Sequence, residues 1–270
     1  MDEISPTVVS PGVARVGPRG TDLRFAAWTV LALLVVHAIA LFLHEYSHST
    51  AAWLMGFKTN PLAITYGHFD LSNVLLQQDM DENVDYGAII ASGHGLQAAL
   101  IALAGAGIGN GLLYVVVAVV LTRQASRMRP AGVLFLFWMA VAASANLWSY
   151  APVRTITTHG DMATAARGFG ISSWTLLPFV VLPSLLACWH LFRRLLPRVL
   201  GRTCEGDPLR GAFVAATACA IFFGFYGCPA LVGRYGDVSA VVSILSIFAA
   251  LPLMLMATLP MSGVGRMNAA

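Results

Sequence analysis

The feature that most constrains this chain is the recurrence of apolar runs long enough to cross a bilayer. A helix needs about 20 mostly apolar residues to span the hydrocarbon core, and runs of that kind extend over Phe25–Met55, Tyr86–Thr122, Ala131–Tyr150, Trp174–Phe192, Gly211–Val232 and Val238–Leu259. Over the 270 residues, 57% are hydrophobic and 11% charged, and the mean hydropathy is +0.73, beyond what a soluble domain of this size carries. The expectation is an all-α polytopic membrane protein with about six to seven transmembrane helices. Residues 1–24, with Pro6, Pro11 and Pro18 and mixed charges, lack the layout of a signal peptide and read as a mobile tail. Residues 25–260 read as one membrane domain with its chemical core at about 25–165, and 261–270 as a C-terminal tail.

Charge placement gives orientation rather than ligand. A net charge of +3 with no basic patch argues against nucleic-acid binding. Arg123, Arg127 and Arg129 follow one apolar run, and Arg193, Arg194, Arg198, Arg202 and Arg210 lie together between two others, so the positive-inside rule puts both loops in the cytoplasm. Tyr86–Thr122 is too long for one ordinary span and short for two, and "GAGIGNG" at 105–111 reads as a turn or a helix break. A single crossing there makes the first and third spans parallel. Basic residues that include only one Lys, with abundant Ala and Gly, suggest a bacterial source, hence a multi-pass protein of a bacterial inner membrane. Cys188, Cys204, Cys219 and Cys228 form no close metal-binding pair and read as small buried hydrophobes.

Within the first apolar run stands "LFLHEYSHST", residues 41–50. Positions i and i+4 share a helix face, so His44 and His48 can direct their imidazoles at one point, a two-histidine metal site. Glu45 sits beside that face, where its carboxylate can take a proton from a water activated by the ion. Zinc suits two neutral nitrogen ligands in tetrahedral geometry. Ionisable groups near the bilayer centre cost about 2.5–3.5 kcal/mol each on insertion scales, so three together need a compensating interaction. A catalytic zinc needs a third protein ligand and an open position. The segment "NLWSYAPVRTITTHGDM", 146–162, offers both Asp161 and His159 near the end of a span.

These residues resemble the site-2 protease family of intramembrane zinc metalloproteases over residues 40–165. "HEYSHSTAAWLMGFKTNPLAITYGHFD" is similar to the family's metal-binding helix followed by a glycine and a membrane-associated β-segment. "ASGHGLQ", 91–97, is similar to the start of its next helix, and 146–162 to its Asn and Pro motif ending in an Asp ligand. The resemblance implies His44, His48 and Asp161 as zinc ligands, Glu45 as general base and Asn146 holding substrate backbone. It also implies a membrane-associated β-segment after the first span, and the alternating Leu62, Ile64 and Tyr66 after Pro61 read by themselves as a short strand or hairpin, which along Ala63–Phe69 would pair with an unwound substrate strand. The implied partner is a transmembrane protein in the lipid bilayer, cut as a zinc metalloendopeptidase cuts its substrate in regulated intramembrane proteolysis. The departures are the Gly before Asp161, the longer gap from Asn146, the His94 in place of a proline, and His159 as a competing ligand.

The alternative reading is a non-proteolytic membrane metal-binding protein or transporter that keeps the fold. A membrane di-iron oxidase requires about eight ligands in several histidine boxes, which seven mostly isolated histidines do not provide. His37 reads as a packed histidine on nearly the same face as His44, His190 as interfacial, and Arg154 as an interfacial arginine that snorkels. The C-terminal spans carry no chemical motif and read as packing around the core. Oligomeric state has no sequence signal.

Overall fold

A computed structural model describes residues 20–68, 70–76 and 79–262; most of the expected N-terminal tail, Phe69, and residues 263–270 of the C-terminal tail lie outside the described residues. Six of its helices are long and apolar enough to cross a membrane: Leu23–Leu54, Gly95–Arg127, Pro130–Val153, Ser173–Thr203, Pro208–Phe225 and Asp237–Ser262, hereafter spans 1 to 6. The protein is thus helical and multi-pass. The third span is the central one, with Phe137, Trp138, Ala140 and Val141 fully buried against spans 1, 2, 4 and 5. Phe179, Phe248 and Met256, in contrast, are exposed as lipid-facing side chains are.

The ambiguous stretch at 86–122 resolves into a short helix, Tyr86–Ala91, a turn at Gly93 (φ +87°), and one continuous span from Gly95. The glycine run does not break that span. It forms a π-helical segment, Gly105–Leu112, whose glycines let the backbone approach span 1. A Cβ at Gly109 would stand 2.6 Å from His44 Cα and 2.7 Å from Leu43 O. With one crossing here, spans 1 and 3 run in the same direction, and the ends that carry His44 and Asn146 can meet.

The β-segment expected after span 1 does not form among the described residues; a single antiparallel bridge, Thr65 to Asp81, stands in its place. The reason lies in the side chains around it. Lys58 Nζ (2.7 Å) and Asn83 Nδ2 (3.1 Å) both donate to Ala63 O, and Asn73 Nδ2 donates to Tyr66 O and His68 O at 2.8 Å each. Carbonyls that a strand would offer to a neighbour are thereby occupied.

Span 3 ends irregularly at Pro152, which lies in a widened turn, Ser149–Val153. The chain then runs as a strap to Gly160, whose φ of +83° turns it into the short helix Asp161–Phe169. That helix packs Met162, Ala165 and Ala166 against Ala99 and Ala102 of span 2. Gly168 and Gly95 meet so closely that a Cβ on either would stand 2.5 Å from the other's carbonyl oxygen.

Gly109→Leu is expected to push span 2 from span 1 and to destabilise the protein by about 1–3 kcal/mol, the usual cost of overpacking. Unfolding of the purified protein in detergent micelles measures it, and an unchanged transition would contradict the close-approach role of Gly109.

Candidate metal centre

Span 1 is helical through His44 and His48, so their side chains share the face turned to span 2. Each ring is 1% exposed. His48 Nδ1 lies 2.7 Å from Ile101 O, an acceptor only, so Nδ1 carries the proton and Nε2 presents its lone pair. His44 Nδ1 lies 2.8 Å from the Asn110 side-chain amide. Asn110 is fully buried and its Oδ1 otherwise lacks a partner, so an amide turned with Oδ1 toward Nδ1–H satisfies both groups and frees His44 Nε2 in the same way.

Asp161 completes the group. Its Oδ2 lies 3.1 Å from His44 Nε2 and 3.4 Å from His48 Nε2, and the two Nε2 atoms are 3.1 Å apart. Ligand atoms at about 2.05 Å from a tetrahedral ion stand about 3.3 Å from one another, and a triangle with sides of 3.1, 3.1 and 3.4 Å leaves a point about 2 Å from all three corners. His44, His48 and Asp161 could therefore hold one metal ion. Burial favours the neutral form of the Asp161 carboxyl, but positive charge and Nε2–H donation from His48 and His44 outweigh it and hold the group far below the usual carboxylate range; a metal ion held by the three groups would take the place of those Nε2 protons.

Gly105 leaves the room this group needs. A Cβ there would lie 2.2 Å from His48 Nε2 and 2.6 Å from both Nε2 and Cε1 of His44, against the edges of both rings. His44 is further fixed by stacking on Tyr150, with ring centres 4.3 Å apart and planes 21° apart.

A cavity of about 290 Å3 opens beside the group, lined by Glu45, Glu82, Asn146, Tyr150, Arg154 and Asp161 among others. Glu45 and Asn146 are 7% and 8% exposed, and both face this space. Ile64 and Tyr66 do not line it: Ile64 is buried, and the Tyr66 hydroxyl bonds the Tyr46 hydroxyl at 2.5 Å. His159 lines the cavity but stands outside the ligand group, stacked on Tyr235 at 4.7 Å. His37 also lines it and is held at both nitrogens, by the Tyr226 hydroxyl at 2.7 Å and Leu75 O at 3.0 Å. His94, with Ser92 Oγ at 3.1 Å and an edge contact to Phe57, is not part of the wall. His190 bonds the Tyr114 hydroxyl at 2.9 Å.

Sequence reasoning missed Asn110, Gly105, Tyr150 and the C-terminal contribution. Phe225, Tyr226, Pro229, Val232 and Tyr235 line the cavity, so its wall extends past the core expected at 25–165. Spacing held a signal for two of these: Gly105 and Gly109 are four apart, the pattern of a close helix crossing, and Asn110 is a polar amide inside an apolar run.

Compared with known proteins, the chain matches no family model, no curated protein and no solved structure.

Gly105→Ala is expected to lose the bound ion while the helices persist, and Asn110→Leu to weaken metal affinity by about 10- to 100-fold, the usual effect of removing an imidazole's outer hydrogen bond. Metal titration of the purified variants beside their circular dichroism checks both. Undiminished affinity in Gly105→Ala would contradict the geometry given above.

Proposed function

We propose that this protein is an intramembrane zinc endopeptidase of the kind its sequence resembles, the site-2 proteases, and that it cuts transmembrane segments of other membrane proteins. The observation that carries this reading is a buried carboxylate, Glu45, facing the cavity beside three residues that could hold a metal ion. Glu45 adjoins His44 in sequence and faces the same cavity as Asp161, within a helical membrane protein. A metal-storage or transport site needs no such base.

Two imidazole nitrogens and one carboxylate oxygen, with room for a further ligand, fit zinc. Bound there, zinc supplies Lewis-acid polarisation of a carbonyl and a lowered pKa for water. Glu45 accepts the proton of the attacking water and returns it to the leaving amine. Asn146, which lines the same wall, would hydrogen-bond the substrate backbone in this reading. A helical substrate hides its peptide bonds in its own hydrogen bonds, so it unwinds locally before attack. Strand addition along Ala63–Phe69 has little support, since the Ala63, Tyr66 and His68 carbonyls are occupied and neither Ile64 nor Tyr66 reaches the cavity. Because Arg123 and Arg127 close span 2, with Arg129 just after it, and Arg193, Arg194, Arg198 and Arg202 crowd the end of span 4, the positive-inside rule puts those ends in the cytoplasm and the site toward the other side.

Glu45→Gln is expected to keep its zinc and to lose cleavage of a reconstituted transmembrane substrate by about 100-fold or more, the scale of a positioned acid–base group. Equal cleavage by that variant would favour the non-proteolytic metal-binding reading. Asp161→Ala is expected to lose zinc and His159→Ala to retain it, measured by metal content of the purified proteins; the reverse pattern would make His159 the third ligand.

A further inference from the structure

The cavity wall also carries a cation that, among the described residues, no carboxylate touches, although Asp161 lies near enough to act on it electrostatically. Arg154 follows the widened turn that ends span 3 and, against the sequence expectation, turns inward to line the cavity rather than snorkelling. Its Nε donates to Ser149 O at 3.1 Å and its Nη1 to the Tyr235 hydroxyl at 3.3 Å. Its guanidinium carbon lies 4.0 Å from the Tyr150 ring centre and 5.3 Å from that of Tyr235. Among the described residues no carboxylate pairs with it. Asp161 is engaged by the two imidazoles, and Glu45 and Glu82, which line the same cavity, make no ion pair with it.

Each of these contacts fixes the plane of the guanidinium and leaves part of its five-donor fork unused. An arginine held in place inside a membrane protein with no carboxylate in direct contact leaves its charge-assisted hydrogen bonds unmade unless a ligand brings them. The planar fork matches a carboxylate, which it can grip through two parallel hydrogen bonds. Tyr150 links the two sites directly, since one side chain stacks on the metal-ligand candidate His44 and also contacts the guanidinium. A carboxylate held by Arg154 would therefore belong to a substrate residue close to the bond presented to the metal group. His159, stacked on the far partner Tyr235, adds a second donor to the same wall.

We propose that Arg154 is a specificity-determining residue that binds a substrate carboxylate near the scissile bond. This rests on the protease reading for the words substrate and scissile bond, but not for the binding itself. The carboxylate comes from an acidic side chain or from the free end of a shortened chain, and one experiment separates these sources.

The test uses the zinc-loaded Glu45→Gln protein in detergent micelles, so that binding is read without cleavage, and fluorescent apolar peptides with a central Asp or Asn, each with a free or an amidated C terminus. The expected result is binding about 10- to 100-fold tighter for peptides that present a carboxylate, the range of a charge-assisted hydrogen bond. A preference that follows Asp assigns the side chain, and one that follows the free terminus assigns the chain end. Arg154→Gln in the same background should abolish the difference and Arg154→Lys should keep part of it. Equal binding of all four peptides by the protein with Arg154 intact, which depends on no variant at that position, would overturn the inference. Such a result would leave proteolysis by the Glu45 protein standing. Conversely, absence of cleavage with a retained carboxylate preference would overturn the protease reading alone.

Discussion

The arrangement depends on one constraint: two imidazoles and a carboxylate sit in the interior of an apolar bundle and must satisfy one another or an ion. His44 and His48 are almost wholly buried, and each Nδ1 is engaged by a group of span 2, Asn110 and Ile101 O. That leaves both Nε2 atoms facing Asp161. Span 2 can serve them only because it lies unusually close to span 1, and it lies close because Gly105 and Gly109 have no side chains. A side chain at either glycine separates the acceptors on span 2 from the rings they hold.

The third ligand arrives by a different route. Span 3 is the most buried of the six and fixes the frame. Its end is loosened at Pro152, and the strap that follows turns at Gly160 to begin a short helix with Asp161. Gly95 and Gly168 dock that helix on span 2. Span 2 thus positions all three ligands, although it contributes none. A polar bridge, Trp148 Nε1 to Ser246 Oγ and Ser246 Oγ to Phe223 O, ties spans 3, 6 and 5 together near the same end, where Tyr226 and Tyr235 enter the cavity wall.

Much of this was legible in the sequence because its signals are local or strongly periodic. Apolar run length marks the spans, and the four-residue interval from His44 to His48 marks a shared helix face. Asp161 could be nominated but not separated from His159, since two residues of spacing do not reveal which side chain a positive-φ glycine will turn toward the imidazoles. The glycine run looked like a turn because a glycine's conformational freedom and its use in close helix packing leave the same letters. The β-segment failed for another reason: alternation at Leu62, Ile64 and Tyr66 suggested a strand, whereas Lys58, Asn73 and Asn83, from other parts of the loop, take its carbonyls. Arg154 and Tyr235 lie 81 residues apart and meet only in three dimensions.

The central claim is that His44 and His48 of span 1 and Asp161 at the start of the short helix after span 3 could together hold one metal ion, proposed to be zinc. X-ray absorption at the zinc edge of the purified, zinc-loaded protein tests it most directly. The account predicts a four-coordinate ion with nitrogen and oxygen neighbours at about 2.0–2.1 Å and the outer-shell scattering of two imidazole rings. An ion surrounded by oxygen alone, or a protein that takes up no zinc, would contradict it.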